Sequence, residues 1–113
     1  MITTKHKVQF VARHHGFENQ SRQCMEECGE LAQAANKVWR SIKGFVTGYE
    51  KPVEVVRAES NLVEEMADVT IMIMQLQELL GISDKRLADA IEVKLNREIK
   101  KINEERRNDL STE

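Results

Sequence analysis

The stretch "CMEECGELAQ", residues 24 to 33, sets Glu26, Glu27 and Glu30 among cysteines, a leucine and alanines in a helical pattern. A second acidic pair, Glu65 and Asp68, closes the stretch "EEMAD". Glu27 with Glu30, and Glu65 with Asp68, have the i,i+3 spacing that puts two side chains on one face of a helix. At about 100° per residue the apolar stripe of the earlier stretch centres on Cys28 and Ala35, with Glu27 nearest, Glu30 next and Glu26 farthest. Glu65 projects among Leu62, Val69, Met72 and Leu76, and Asp68 flanks the same sector one turn on. An ionised carboxylate held in low dielectric must protonate, pair with a cation or bind a metal. The facing edge of the earlier helix offers further carboxylates instead of cations, so two acidic pairs pointing into one bundle would repel each other unless a divalent ion lay between them. Four hard oxygen ligands suit Mg²⁺, or Mn²⁺. Such spacings are common on solvated helix faces, but two of them at the borders of two apolar stripes favour a site. A di-iron centre is the weaker reading, because it expects Glu-x-x-His pairs and His6, His14 and His15 lie far from these acids in the chain.

Four helical segments would position them. The first runs from about Thr4 to His14, with Val8, Val11 and Ala12 as apolar residues and Gly16 closing it. The second begins near Glu18 or Asn19, follows Cys24, Cys28, Leu31, Ala35, Val38 and Ile42, and stops at Gly44. Residues 44 to 53, "GFVTGYEKPV", with two glycines and the only proline, predict the one substantial loop. The third segment runs from about Glu54 to Leu80 and ends on Gly81 as a C-terminal cap. The fourth opens at Ser83, whose hydroxyl can cap "SDKR", and follows Leu87, Ile91, Leu95 and Ile102 into a charged, frayed tail.

Composition agrees with that reading. A chain of 113 residues with one Pro, five Gly, 32% charged and 4% aromatic residues predicts an all-α class, a single domain over residues 1–113 and a four-helix bundle-like subunit. A net charge of -2 gives no general basic surface, so neither nucleic acid nor an anionic membrane is an expected partner. Cys24 and Cys28 fit neither a disulfide framework nor a zinc site and read as small core residues in a reducing compartment. "MITTKHKVQF" has no apolar leader-like run, and "VTIMIMQLQELL" is too short and too interrupted to span a bilayer, which predicts a cytoplasmic protein. In "VTIMIM" Ile71 and Met74 point away from the stripe that Val69, Ile73 and Leu76 give to the subunit's own core, so a partner copy is expected to cover them.

"EECGE" followed by "EEMAD" resembles the E-E-x-x-E … E-x-x-D signature of the MazG-like, all-α nucleoside triphosphate pyrophosphohydrolases, and "ELAQAANKVWR" resembles the continuation of their first motif helix. The resemblance covers roughly residues 17 to 101. It implies Mg²⁺-dependent hydrolysis of an NTP or dNTP to the monophosphate and pyrophosphate, in nucleotide-pool housekeeping. The metal ligands it implies are Glu27, Glu30, Glu65 and Asp68, and it implies a homodimer or homotetramer. The separation of the two motifs, 34 residues between Glu30 and Glu65, is longer than usual for the family. The alternative is a non-catalytic helical module that senses nucleotides or binds a partner on the same scaffold.

A triphosphate shields its α-phosphorus from an anionic nucleophile until cations neutralise its oxygens. Either Glu65 or Glu30 could orient or deprotonate the attacking water. Lys94, Arg97 and Lys101 share a flank of the last helix, and the resemblance implies a phosphate-binding lysine there, with Lys94 preferred. Lys37, two turns beyond Glu30 on nearly the same face, is a further phosphate candidate. For the base, Trp39, Phe10 and Phe17 could stack, while Gln20 and Gln23 could hydrogen-bond.

Overall fold

Local signals set the helix ends. Thr3 Oγ1 accepts from the His6 N–H at 3.2 Å and caps α1, Thr4–Val46. Pro52, the first residue of α2, Pro52–Leu80, needs no intrahelical N–H partner there. Gly81 closes α2 in the left-handed conformation, φ 66 and ψ 32, its N–H donating to the Gln77 carbonyl. Ser83 Oγ then accepts from the Arg86 N–H at 3.1 Å at the head of α3, Asp84–Thr112. The structure, a computed structural model, describes residues 2–48 and 51–112, the last two by backbone alone. The centre of the expected loop, residues 49 and 50, therefore lies outside the described residues.

The all-α class is as expected, but the four expected segments are three helices. The first two merge because a single residue, Gly16 at φ 82 and ψ 168, makes the break, with helix on both sides of it and no intervening loop. That conformation is essentially closed to side chains other than glycine, so the sequence signal for an end marks a bend instead. Gly44 does not stop α1, which continues to Val46 and ends where Thr47 caps it and Gly48 takes φ 84.

α1 and α2 form an antiparallel hairpin. Near its far end Arg13 Nη2 donates to Glu78 Oε1 at 2.8 Å and Gln9 Nε2 to Glu78 Oε2 at 3.3 Å. The hydrogen bond from Arg13 holds the Glu78 carboxyl below its usual range. Gln20 Nε2 donates to Gln75 Oε1 at 2.7 Å in the buried interior, where Gln75 is only 2% exposed. Val8, Ala12, Ala34, Ala58 and Met72 are the buried apolar residues among those described, spread along the hairpin.

The seam of α1 is not the one its apolar residues suggest. It passes through Gln20, Glu27, Ala34 and Ser41, seven apart, with Cys24, Leu31 and Val38 half-buried between them. Cys28, Ala35 and Ile42, one residue further on, are exposed, and so is Val11. The core role expected of Cys28 therefore fails, and Cys24 is only half-buried. On α2 the seam runs through Ala58, Glu65 and Met72, with Leu62, Val69 and Leu76 half-buried, as expected; Ile73 is exposed. Alanines and a serine at the contact layers let two backbones approach closely, so this seam uses small side chains where a longer hydrophobic stripe would hold the helices apart.

The chain divides into two compact units, one ending at Gly81 and one beginning at Ile82. The first is the hairpin. The second is α3, whose Ile91, Leu95, Ile99 and Ile102 are exposed, with Leu87 half-buried at its start. Among the described residues no helix is long and apolar enough to cross a membrane.

Candidate functional site

Where the two seams cross, each contributes a glutamate. Glu27 from α1 and Glu65 from α2 are half-buried, and Glu30, one turn beyond Glu27, is exposed beside them. Carboxylate oxygens of the three lie within 4.8 Å of one another. Glu27 Oε1 accepts from Gln23 Nε2 at 2.8 Å, which fixes the rotamer of its carboxylate from the turn before. The second oxygens, Glu27 Oε2 and Glu65 Oε2, are buried without a hydrogen-bond partner. Two buried acceptors without a donor are costly, because each forfeits hydration and gains nothing in return.

Charge repulsion makes the same point. Glu27 first, and Glu65 second, push the Glu30 carboxyl above its ordinary value of 4.5. A raised acid binds its proton more tightly folded than unfolded, so ionised Glu30 costs stability above its folded pKa, and that cost disappears as pH falls through it toward 4.5. In EDTA, Glu30→Gln should therefore melt higher than the unsubstituted chain at pH 7, and the gap should close below pH 4.5. Paired thermal melts across pH check it, and a gap that stays constant with pH would contradict the repulsion. A divalent cation removes both problems at once, since hard oxygens that lack donors are the ligands it takes. The donor set fits such an ion.

Asp68 is placed differently. It is exposed, one turn beyond Glu65, and its carboxylate is not among the three oxygen donors that converge. Glu26 faces solvent on the other side of α1.

The trio opens onto a groove of about 430 Å³ between α1 and α2, lined by Glu30, Lys37, Arg40, Asn61 and Glu65 among others. Lys37 was anticipated there, on the face it shares with Glu30. Arg40 and Asn61 were not. The available signals were spacings: Arg40 is one turn beyond Lys37, and Asn61 is one turn before Glu65 on the flank of α2 that carries Asp68. The base candidates fare otherwise. Gln20 is committed to Gln75, and Gln23 to Glu27. Trp39, 60% exposed, lies on the outer side of α1 with Lys43 Nζ 5.0 Å from its ring centroid, and it does not line the groove. Phe10 and Phe17 are exposed on the other side of, or next to, the Gly16 bend. Lys94, Arg97 and Lys101 are exposed on α3, in the second unit.

Residues 41–110, more than half of the chain, match the family model described as dATP/dGTP pyrophosphohydrolase. The matched span contains Glu65 and Asp68 and α3 as far as Leu110, and it leaves Glu27 and Glu30 to its N-terminal side. No curated protein and no solved structure matches the chain.

Proposed function

The chain belongs to the dATP/dGTP pyrophosphohydrolase family, and on that premise we propose that it hydrolyses a nucleoside triphosphate, a purine dNTP foremost, to the monophosphate and pyrophosphate. The observation that carries this reading is the convergence of Glu27, Glu30 and Glu65, two with stranded buried oxygens, at the head of an open groove. Glu27, Glu30 and Glu65 would hold Mg²⁺, or Mn²⁺, with Asp68 the proposed fourth ligand from the next turn of α2. When bound, the ion would supply neutralisation of the triphosphate oxygens and a more acidic water.

The chain's own groups do the rest. Glu27 and Glu65 sit in the helix seam, where packing and Gln23 hold them in register. Glu30 is the exposed member of the trio and lines the groove, where its carboxylate is open to water and substrate. We assign it the proton of the attacking water, with Glu65 orienting that water. Oxygen from water bonds to the α-phosphorus, the bond from that phosphorus to the oxygen bridging to the β-phosphate breaks, and pyrophosphate leaves with the bridging oxygen. Lys94 keeps the phosphate-binding role that the sequence resemblance implies for a lysine of the last helix, with Arg97 and Lys101 as further candidates on its flank. The setting would be the cytoplasmic nucleotide pool.

The test is a panel of ribo- and deoxyribonucleoside triphosphates with the full chain and Mg²⁺, products separated by chromatography. dATP and dGTP should be among the fastest substrates, and turnover of none of the panel would overturn the reading.

A homodimer or homotetramer belongs to the same proposal. Met25, Cys28, Ala32, Ala35, Trp39 and Ile42 repeat by three and four along the exposed side of α1, and Val56, Ser60, Val63, Ala67 and Thr70 do so along α2. Two uncharged heptad stripes on one hairpin suit docking against a second hairpin, which would complete four helices from two chains. Ile71 is also exposed, although Met74 is half-buried. Val63→Glu should give monomers by sedimentation at micromolar concentration where the unsubstituted chain gives a dimer or tetramer; an unsubstituted chain that is itself monomeric would refute the assembly.

A further inference from the structure

Beyond the carboxylates the groove changes sign. Lys37 and Arg40 line its far half, and the same two side chains line an adjoining hollow of about 380 Å³ together with Ser41, Glu54 and Arg57. Arg57 Nη1 is 3.7 Å from Glu54, but neither Lys37 nor Arg40 has an acidic partner among the described residues. Lys37 is seven residues and Arg40 ten residues beyond Glu30 on α1, roughly 10 and 15 Å at 1.5 Å per residue. Side chains on a helix lean toward its N-terminus, so both cations reach back toward Glu30. Two cations that share one groove with an anionic cluster form a bipolar slot, and a surface charge run would need no such cleft.

We propose that Lys37 and Arg40 bind the β- and γ-phosphates of the triphosphate, so that its tail points toward the α1–α2 connection and its nucleoside toward the Gly16 end of the hairpin. This rests on the reading of the carboxylates as the site of attack on the α-phosphate. It assigns the departing pyrophosphate to Lys37 and Arg40, whose guanidinium and ammonium groups meet the charge that builds on the leaving oxygen. Arg57 forms the far wall of the slot. Asn61 offers an amide donor between the two halves.

Inorganic tripolyphosphate with Mg²⁺, titrated calorimetrically into the full chain, reports the tail site without any turnover. Lys37→Met and Arg40→Gln should each weaken its binding about tenfold or more, the loss expected for one charge-assisted contact. In turnover, inhibition by pyrophosphate should weaken by the same factor while inhibition by the nucleoside monophosphate stays as it was. Lys37→Arg, which keeps the charge, should retain most of the affinity and guards against a merely misfolded variant. Unchanged tripolyphosphate binding in both variants would overturn the proposal, as would weakened monophosphate inhibition with pyrophosphate inhibition intact, which would put the nucleoside end at the cations. If the chain binds tripolyphosphate through Lys37 and Arg40 but turns over no nucleotide, the tail site stands and the hydrolase reading falls.

Discussion

Glu27→Gln should lower steady-state turnover by about 10²- to 10³-fold, the cost of removing one group from a preorganised electrostatic site, whereas Glu26→Gln should change it by no more than about twofold. The two residues are adjacent, and composition treats them alike. Their places on α1 do not. Glu27 lies in the seam with one oxygen held by Gln23 and the other buried without a partner. Glu26 is exposed, and substitutions at such positions usually shift free energies by no more than about 0.5 kcal/mol. The metal-free Glu27→Gln chain should melt at the same temperature or higher, because the substitution removes a charge from a mutually repulsive trio and gives the buried site a donor. Steady-state kinetics and thermal melts of both variants in EDTA decide it. A larger activity loss in Glu26→Gln would mean that α1 is rotated from the register described.

Chelation should have the second large effect. EDTA should abolish turnover, and Mg²⁺ or Mn²⁺ should restore it, since without a cation the trio repels the substrate's phosphates. A readout independent of turnover accompanies this. Mg²⁺ at a hundredfold excess over its Kd should stabilise the chain by about 2.7 kcal/mol. Glu27→Gln and Glu65→Gln should each lose most of that stabilisation, and Asp68→Asn, outside the converging trio, should lose less. Full activity after exhaustive metal removal, or equal Mg²⁺ stabilisation in all three variants, would contradict the carboxylate site.

Much of this was legible in the sequence wherever a local signal decides the structure. Gly81, Ser83 and Gly16 each mark a place where helical backbone geometry changes, because a left-handed cap, a hydroxyl cap and a glycine-only conformation depend on the residue itself. What Gly16 does there, bend a helix or end it, depends on whether the segments on either side pack on the same partner, and no single residue carries that. The convergence of Glu27, Glu30 and Glu65 was legible too, from carboxylates beside apolar stripes on two helices, whereas Asp68, read as the fourth, stays outside the trio. The seam of α1 was read one residue out for a physical reason. Its contact positions hold Gln20, Glu27, Ala34 and Ser41, polar or small, while the more hydrophobic Cys28, Ala35 and Ile42 face outward. A hydrophobic periodicity finds the stripe that most dislikes water, and on this helix that stripe is one proposed to meet another chain. The stripe inside the hairpin is the less apolar because it carries carboxylates and a buried glutamine pair. Arg40 and Asn61 escaped notice because ordinary exposed polar residues acquire meaning only when a groove forms between two helices.

The central claim, water attack at the α-phosphate in a metal-loaded carboxylate site, is tested most directly by turnover in ¹⁸O-labelled water with dATP or dGTP and Mg²⁺. The products should be nucleoside monophosphate and pyrophosphate in equal amounts, with one ¹⁸O atom in the monophosphate and none in the pyrophosphate. Label in the pyrophosphate, or release of the nucleoside diphosphate with labelled orthophosphate, would place the attack on another phosphorus and contradict the account.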